Sequence, residues 1–403
     1  MNSMLDATQI RNILTIRYDP RKSSKNQIIS KIFSSTINDL NGFKTEKILL
    51  KIIKNYYTFN DKPIAISISS GIDSTLLLAI IRKCFPEQKI IGVCGIFEDG
   101  FDESITAKKI AKKFDASFYP VKMGSIFSSM PEIISITGKP KWNTYTHLIA
   151  KNAKKFTTNF VTGDGADEIF GGYTFRYEKF LGLSKPDDTW VKKAQNYLEC
   201  HNRDWVPDQH KMFGNQIKFN WNKILKYFKP YFNNELNLLN QVIFADYNGK
   251  LIHDFIPLGK SIEKYYGLNS FSPFQQHEVV ELGMNLPISQ KFDNKTKRGK
   301  LVLRKISKRL GINHIDDKKG FSPSLLYDWK KNGKKICENY ILQKDSDIYK
   351  QKLINFDWVL NAVEKVENDG DIRYLNRLIS ILALEIWIRL FVLKTIDPKK
   401  PLK

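Results

Sequence analysis

The sequence predicts an α/β protein, a parallel sheet with a large helical region after it, on three observations. Between residues 61 and 173 short apolar runs alternate with amphipathic stretches, as strands and crossover helices do in a parallel sheet. Two of those runs end in loops of small and acidic residues, Ser69-Ser70-Gly71-Ile72-Asp73-Ser74 and Thr162-Gly163-Asp164-Gly165-Ala166-Asp167-Glu168. From about residue 180 onward strand patterns stop and helical spacing takes over.

Residues 1–60 read as a helical N-terminal extension. Ile48, Leu49, Ile52, Ile53 and Tyr56 recur at helical spacing, so that stretch should pack on the core. The core spans 61–180, with strands expected at 64–69, 89–97, 117–122 and 160–163. Helices are expected at 73–84, 103–114 and 145–155. The run from Ile64 to Ile68 is apolar almost throughout, as in a strand buried on both faces. Residues 181–403 form a helical, substrate-side region packed on the core, aromatic-rich at 221–232. The stretch 378–392 is very apolar, but Glu385 and Arg389 interrupt it at i,i+4 spacing, which suits a buried helix and not a membrane span.

Composition narrows the chemistry. Lys and Arg number 64 against 42 acids, a net charge of +22. A nucleic-acid partner is the weaker expectation, because the lysines are spread along the chain and not blocked. Cys84, Cys94, Cys200 and Cys337 form no CxxC pair, and histidines such as His147 and His277 show no ligand spacing. That pattern fits a reduced cytoplasmic setting and no transition-metal site. No apolar segment opens the chain as a signal peptide would.

The first loop has the makings of a phosphate site. Free N–H groups at a helix N-terminus and its dipole attract anions, serines add donors, and Gly71 permits close approach. Asp73 would repel a bare phosphate, so its presence suggests bridging Mg²⁺. The bland alternative is a capping Asp. Gly259-Lys260-Ser261 is no Walker loop, lacking the upstream glycine. In a doubly wound sheet both loops face one crevice, where Asp73 and Asp167 could share Mg²⁺ on a triphosphate.

The first loop resembles S-G-G-x-D-S of the N-type ATP pyrophosphatases, with Ser70 at the first of the paired glycines. The stretch 163–173 is similar to S-G-E-G-x-D-E-x-F-G-G-Y of the asparagine synthetases. This resemblance implies the adenine-nucleotide alpha-hydrolase-like (PP-loop ATP pyrophosphatase) fold, with ATP and Mg²⁺ as cofactors. It implies that Ile68, Ser69, Ser70, Gly71, Asp73, Ser74, Cys94, Thr162 and Gly163 surround the nucleotide and that Asp73 and Asp167 hold the metal. For Ile68 and Cys94 a plain core role is equally in keeping with their character. Asp164 stands where asparagine synthetases carry Glu and beta-lactam synthetases Tyr, a position tied to the second step.

Further on, Lys300-Leu-Val-Leu-Arg304 and Lys318-Lys-Gly-Phe321 resemble the family's K-x-x-L-R helix and K-x-G-F loop. The family's loop lysine stabilises pyrophosphate and the charged intermediate, which implies that role for Lys318. Residues 382–391 are similar to the family's last helix. The stretch 267–274 is similar to G-L-E-x-R-x-P-F, with Asn269 and Phe271 at the Glu and Arg positions; 259–273 is expected to keep a helical frame without that polar pair.

The activity so implied is an ATP-dependent, AMP- and pyrophosphate-forming amide ligase that makes an acyl-adenylate. Its small-molecule acid is aspartate by family default, as in asparagine biosynthesis; sugar acids and peptide side chains stay open. Asn2 stands where glutamine-dependent members carry a catalytic cysteine, so the glutaminase half is expected to be missing. Ammonia, an amine or a separate glutaminase subunit would then supply nitrogen. Two alternatives stand beside this: a tRNA-modifying adenylating enzyme, whose loop is similar, and a catalytically divergent ATP-binding relative.

Overall fold

The computed structural model describes residues 5–22, 24–33, 37–57, 62–98, 102–201, 205–312 and 324–403. Its centre is β1 (Ile64–Ser67), flanked on one side by β2 (Ile90–Ile96) and β3 (Ser117–Lys122) and on the other by β4 (Asn159–Val161) and β5 (Asn269–Phe271). All neighbours run parallel, in the order β3-β2-β1-β4-β5. Ile64 pairs with Ile90 on one side of β1, and Ala65 with Phe160 on the other. The chain first builds outward to β3 and then returns past β1 to β4. The strand order therefore reverses between β1 and β4, where open α/β sheets bind ligands.

Both faces of the sheet are covered. Ile64 and Ile66 join the core beneath α2 (Phe43–Tyr56), α3 (Ile72–Cys84) and α4 (Ser104–Lys113). Ala65 faces the opposite layer, against Ile149, Ala150 and Ala153 of a helix at His147–Ala153. The apolar run of α3 is buried on all sides, Leu76, Leu77, Leu78, Ile80 and Ile81 each being 0 % exposed. At roughly 1.5–3 kcal/mol per side chain, this helix is a main source of core stability.

A second core gathers the C-terminal helices. Its spine is Ile372–Trp387, continued by a π-helical turn at Ile388–Val392, and the N-terminal helix α1 (Ala7–Ile16) adds Ile10, Ile13 and Leu14 to it. The described N-terminal residues thus divide between two cores, most of α1 joining this one while its last residue, Ile16, and α2 join the sheet core. The Glu385–Arg389 spacing does what was expected of a buried helix: Arg389 Nε donates to Glu385 Oε1 at 2.7 Å, and Glu385 also accepts from the Ile348 amide. No helix among the described residues is long and apolar enough to cross a membrane.

Two expectations fail. Strands do not stop near residue 180, because β5 closes the sheet, and 259–273 is not helical throughout. A helix at Ile256–Tyr266 ends at Gly267, whose φ of +61° terminates it in the left-handed region. The chain then pairs with β4, the Asn269 amide donating to Thr158 O at 2.7 Å and the Thr162 amide to Phe271 O at 3.1 Å. Three residues carry no readable periodicity; the ladder bonds to β4 decide the conformation. A two-stranded hairpin, Phe292–Asp293 with Arg298–Gly299, adds further strand beyond 180.

Candidate active site

The loop after β1 turns into α3 at Gly71, which occupies the N-cap in an extended conformation without a side-chain cap. Asp73 lies in the first helical turn and does not cap it. Around this turn the small side chains bond one another. The Ser69 amide donates to Ser74 Oγ at 3.0 Å, the two hydroxyls are 3.1 Å apart, and the Gly71 amide donates to Ser69 Oγ at 3.2 Å. Ser70 behaves differently. It is fully buried, and both its amide and its hydroxyl donate to Glu103 Oε2, at 3.1 and 2.8 Å. The residue in the glycine position thus anchors the loop to the segment leading into α4.

The loop after β4 runs into a short helix, α5 (Ala166–Phe170), through Gly165, whose φ is +100°. A Cβ on Gly163 would stand 3.1 Å from Asp73 Cβ, so the two loops touch. Between them comes Lys300, residue zero of α6 (Leu301–Arg309), itself at φ 55°. Its Nζ lies 2.5 Å from Asp73 Oδ2 and 2.8 Å from Asp167 Oδ1. Burial disfavours the ammonium, but Asp167 and Asp73 outweigh that and raise the Lys300 pKa above its ordinary value. Gly172 is fixed by the same contact, since any Cβ there would collide with Asp167 Oδ1 and Lys300 Cε.

On the β5 side, Thr162 Oγ1 bonds Asp164 Oδ2 at 3.0 Å and Ser272 Oγ at 2.7 Å. Asp164 opens to solvent while protein crowds around it. That crowding, with the like charge of Asp167, raises its carboxyl above the usual range against the pull of Thr162. Behind Asp167, Glu168 is buried and accepts from Tyr173 Oη at 2.5 Å. Desolvation, then Asp167, pushes its carboxyl up to about 7. The Tyr173 ring is covered by Arg176 at 3.6 Å and Lys250 at 4.9 Å.

Of the expected site residues, Ser69, Gly71, Asp73, Ser74, Thr162, Gly163, Asp164 and Asp167 gather at the switch point between β1 and β4. Ser70 turns inward. Ile68 and Cys94 are buried in the sheet, Ile68 against Gly92. Lys318 falls outside the described residues. Lys300, Glu103 and Glu168 were not expected to take part. For Lys300 the signal existed in the K-x-x-L-R match, though nothing local to it names its partners.

Two carboxylates converging on one cation are a hard-oxygen donor set. Mg²⁺ needs only one or two protein carboxylates beside phosphate oxygens, so Asp73 and Asp167 fit it. Among the described residues no group of three or more His, Cys, Asp or Glu could cage a metal by itself.

A doubly wound sheet with a serine loop and paired acids at its switch point defines a nucleotide-binding α/β protein. The profile described as asparagine synthase matches residues 49–389, and the chain belongs to that family. Asparagine synthetase [glutamine-hydrolyzing] 1 of Bacillus subtilis (strain 168) is 24% identical over 391 residues, covering 86% of this chain and 59% of that protein. A putative asparagine synthetase [glutamine-hydrolyzing] of Mycobacterium tuberculosis (strain ATCC 25618 / H37Rv) is 29% identical over 143 residues, 34% of this chain and 22% of that one. The chain therefore spans less than two thirds of these relatives. Among solved structures, the U34-tRNA thiolase NcsA from Methanococcus maripaludis with its [4Fe-4S] cluster covers 62% of this chain and 89% of its own at 14% identity. Its TM-score is 0.27, too low to build on.

Proposed function

We propose that the protein is an ATP-dependent ligase that converts a carboxylate to an amide through an acyl-adenylate, releasing pyrophosphate and then AMP. The observation that carries this reading is the meeting of Asp73 and Asp167, from two separate loops, on the single cation of Lys300. Asp73 and Asp167 would hold Mg²⁺, which supplies charge neutralisation at the triphosphate. The amides of the first turn of α3 and the hydroxyls of Ser69 and Ser74 bind phosphate oxygens, and Lys300 balances the negative charge that the triphosphate brings. An oxygen of the bound carboxylate attacks the α-phosphorus, the bond to the bridging oxygen breaks, and pyrophosphate leaves. Lys318 stabilises that leaving group.

In the second half a neutral nitrogen donor attacks the acyl carbon, the bond to the AMP oxygen breaks, and the nitrogen gives up a proton. Asp164, its basicity raised at the cleft mouth, accepts that proton. Ammonia or a small amine serves as donor, free or delivered by a separate glutaminase subunit. Aspartate is the first acid to try. ATP–pyrophosphate exchange against a panel of carboxylic acids tests the reading; no exchange with any acid in the presence of Mg²⁺ would end it.

A further inference from the structure

The charge of this chain is not spread evenly over its fold. Four helices, α2, α3, α4 and α6, share the core on one face of the sheet. The outward sides of α2, α4 and α6 are cationic. On α2, Lys44, Lys47, Lys51 and Lys54 are exposed at 3-4-3 spacing, a single stripe along the whole helix. On α4, Lys108, Lys109, Lys112 and Lys113 lie on one side, and on α6 so do Lys305, Lys308 and Arg309. Lys113 Nζ bonds Gly311 O just beyond α6, which joins the two cationic sides into one surface.

Among the described residues, carboxylates are few on that surface. Among the described residues, the acids within these four helices are Asp73, at the nucleotide loop, and Glu46, which is buried and bridges Lys83 and Arg309. At the margins Asp115 faces Arg82, and Glu278 of a neighbouring helix pairs with Lys51. Elsewhere the charges mix; the helix Phe356–Asp369 carries Asp357, Glu364, Glu367 and Asp369 beside Lys365. Helix dipoles favour cations at C-termini and explain part of the pattern at Lys112, Lys113, Lys308 and Arg309. They do not explain a stripe that runs the full length of α2.

The surface also holds an aromatic ring. Phe43 is 60% exposed at the start of α2, with the Arg309 guanidinium 4.3 Å over its face. It borders a groove of about 460 Å³ shared with Glu46, Lys47, Leu50, Lys83, Arg309 and Leu310. Cations in excess of carboxylates suit a repeating polyanion, and an exposed ring backed by Arg suits an unstacked base.

We propose that this lysine-rich helical face docks single-stranded nucleic acid, its phosphates on the lysines of α2, α4 and α6 and a base stacked at Phe43. The chemistry is elsewhere. Lys83 stands ten residues beyond Asp73, about 15 Å along α3, and Lys308 eight residues beyond Lys300, about 12 Å along α6. The strand is therefore anchored away from the acids, and the proposal does not depend on the identity of the acid substrate.

The test is fluorescence anisotropy of the full chain with labelled oligo-U RNA and oligo-dT DNA of about 12 nucleotides, titrated with salt from about 50 mM. K44E/K47E and K108E/K112E should each weaken binding about tenfold and flatten the salt slope by about 1.4. K223E/K226E, the same charge change at exposed lysines on another surface, should change it less than about twofold. Phe43→Ala should weaken the single strands and leave a duplex of equal length unaffected. Thermal melts confirm that each variant folds. Binding of both single strands supports the shared chemistry, and binding of RNA alone assigns its source. Equal losses in all three double variants, equal effects of Phe43→Ala on strand and duplex, or poly-glutamate binding as tightly as RNA would each overturn the proposal, the last in favour of an acidic protein.

Discussion

Phe271 lies flat on Tyr56, ring centroids 3.8 Å apart and planes 6° from parallel. Tyr57 meets the same ring edge-on at 5.8 Å, and Tyr56 Oη donates to Asn269 Oδ1 at 2.8 Å. Asn269 and Phe271 are two of the positions at which this chain departs from the family pattern. Both are used to fasten α2 to β5, the strand whose Phe271 carbonyl fixes Thr162. Phe271→Ala should cost about 3–5 kcal/mol, since the ring is buried, and Tyr56→Ala roughly 1–2 kcal/mol. Urea unfolding of the two single variants and the double variant should give a coupling of about 0.5–1.5 kcal/mol. Additive effects would show that the stack contributes nothing of its own.

Lys300 is the cation that the two acids already share. Lys300→Met leaves Asp73 and Asp167 facing each other, at a cost of about 1–3 kcal/mol given their partial exposure. Mg²⁺ should then raise the melting temperature of this variant more than that of the parent chain. Equal Mg²⁺ shifts in both would count against a metal between these carboxylates. Asp73→Asn or Asp167→Asn should each lower pyrophosphate exchange by about 10²–10³.

Asp164 and the first half-reaction can be separated. Asp164→Asn should keep pyrophosphate exchange within about tenfold of the parent, because adenylation needs no base at that position. Amide formation with ammonia should fall by about 10² or more. Exchange and amide formation falling together would move Asp164 into the nucleotide site.

Glu168 gives a pH signature in stability. Burial, then the charge of Asp167, pushes its carboxyl up to about 7 in the folded protein, from an ordinary value of 4.5. Well below pH 4.5 it is neutral both folded and unfolded and makes no pH-dependent contribution. As the pH rises toward 7 the unfolded chain ionises freely while the folded one resists, so stability is lost across that window. Relative to Glu168→Gln, the parent chain should lose on the order of 1–3 kcal/mol between pH 5 and pH 8. Parallel stability curves for the two would show that the group ionises normally.

Lys318 is predicted from resemblance. Lys318→Ala should lower kcat steeply with little change in the KM for ATP, while Lys319→Ala stays near the parent, as a charge acting on the leaving group demands. Matching mild effects at both would make Lys318 a surface lysine.

The sequence by itself determined the parallel core, the two acid loops and the buried final helix. Those features rest on short-range physics. Apolar runs such as Ile64 to Ile68 mark buried strands, small residues permit the turns at Gly71 and Gly165, and i,i+4 spacing pairs Glu385 with Arg389. Only the tertiary structure decided the rest. Lys300 meets Asp73 across 227 positions of chain, and no local pattern names such a partner. Ser70 stands where a glycine was expected, yet its direction is set by Glu103, 33 residues away. β5 has three residues, too few for any period to show, and it is a strand because β4 offers it a ladder. The lysines of α2, α4 and α6 read as dispersed along the chain because packing against one sheet face, not adjacency in sequence, brings them together.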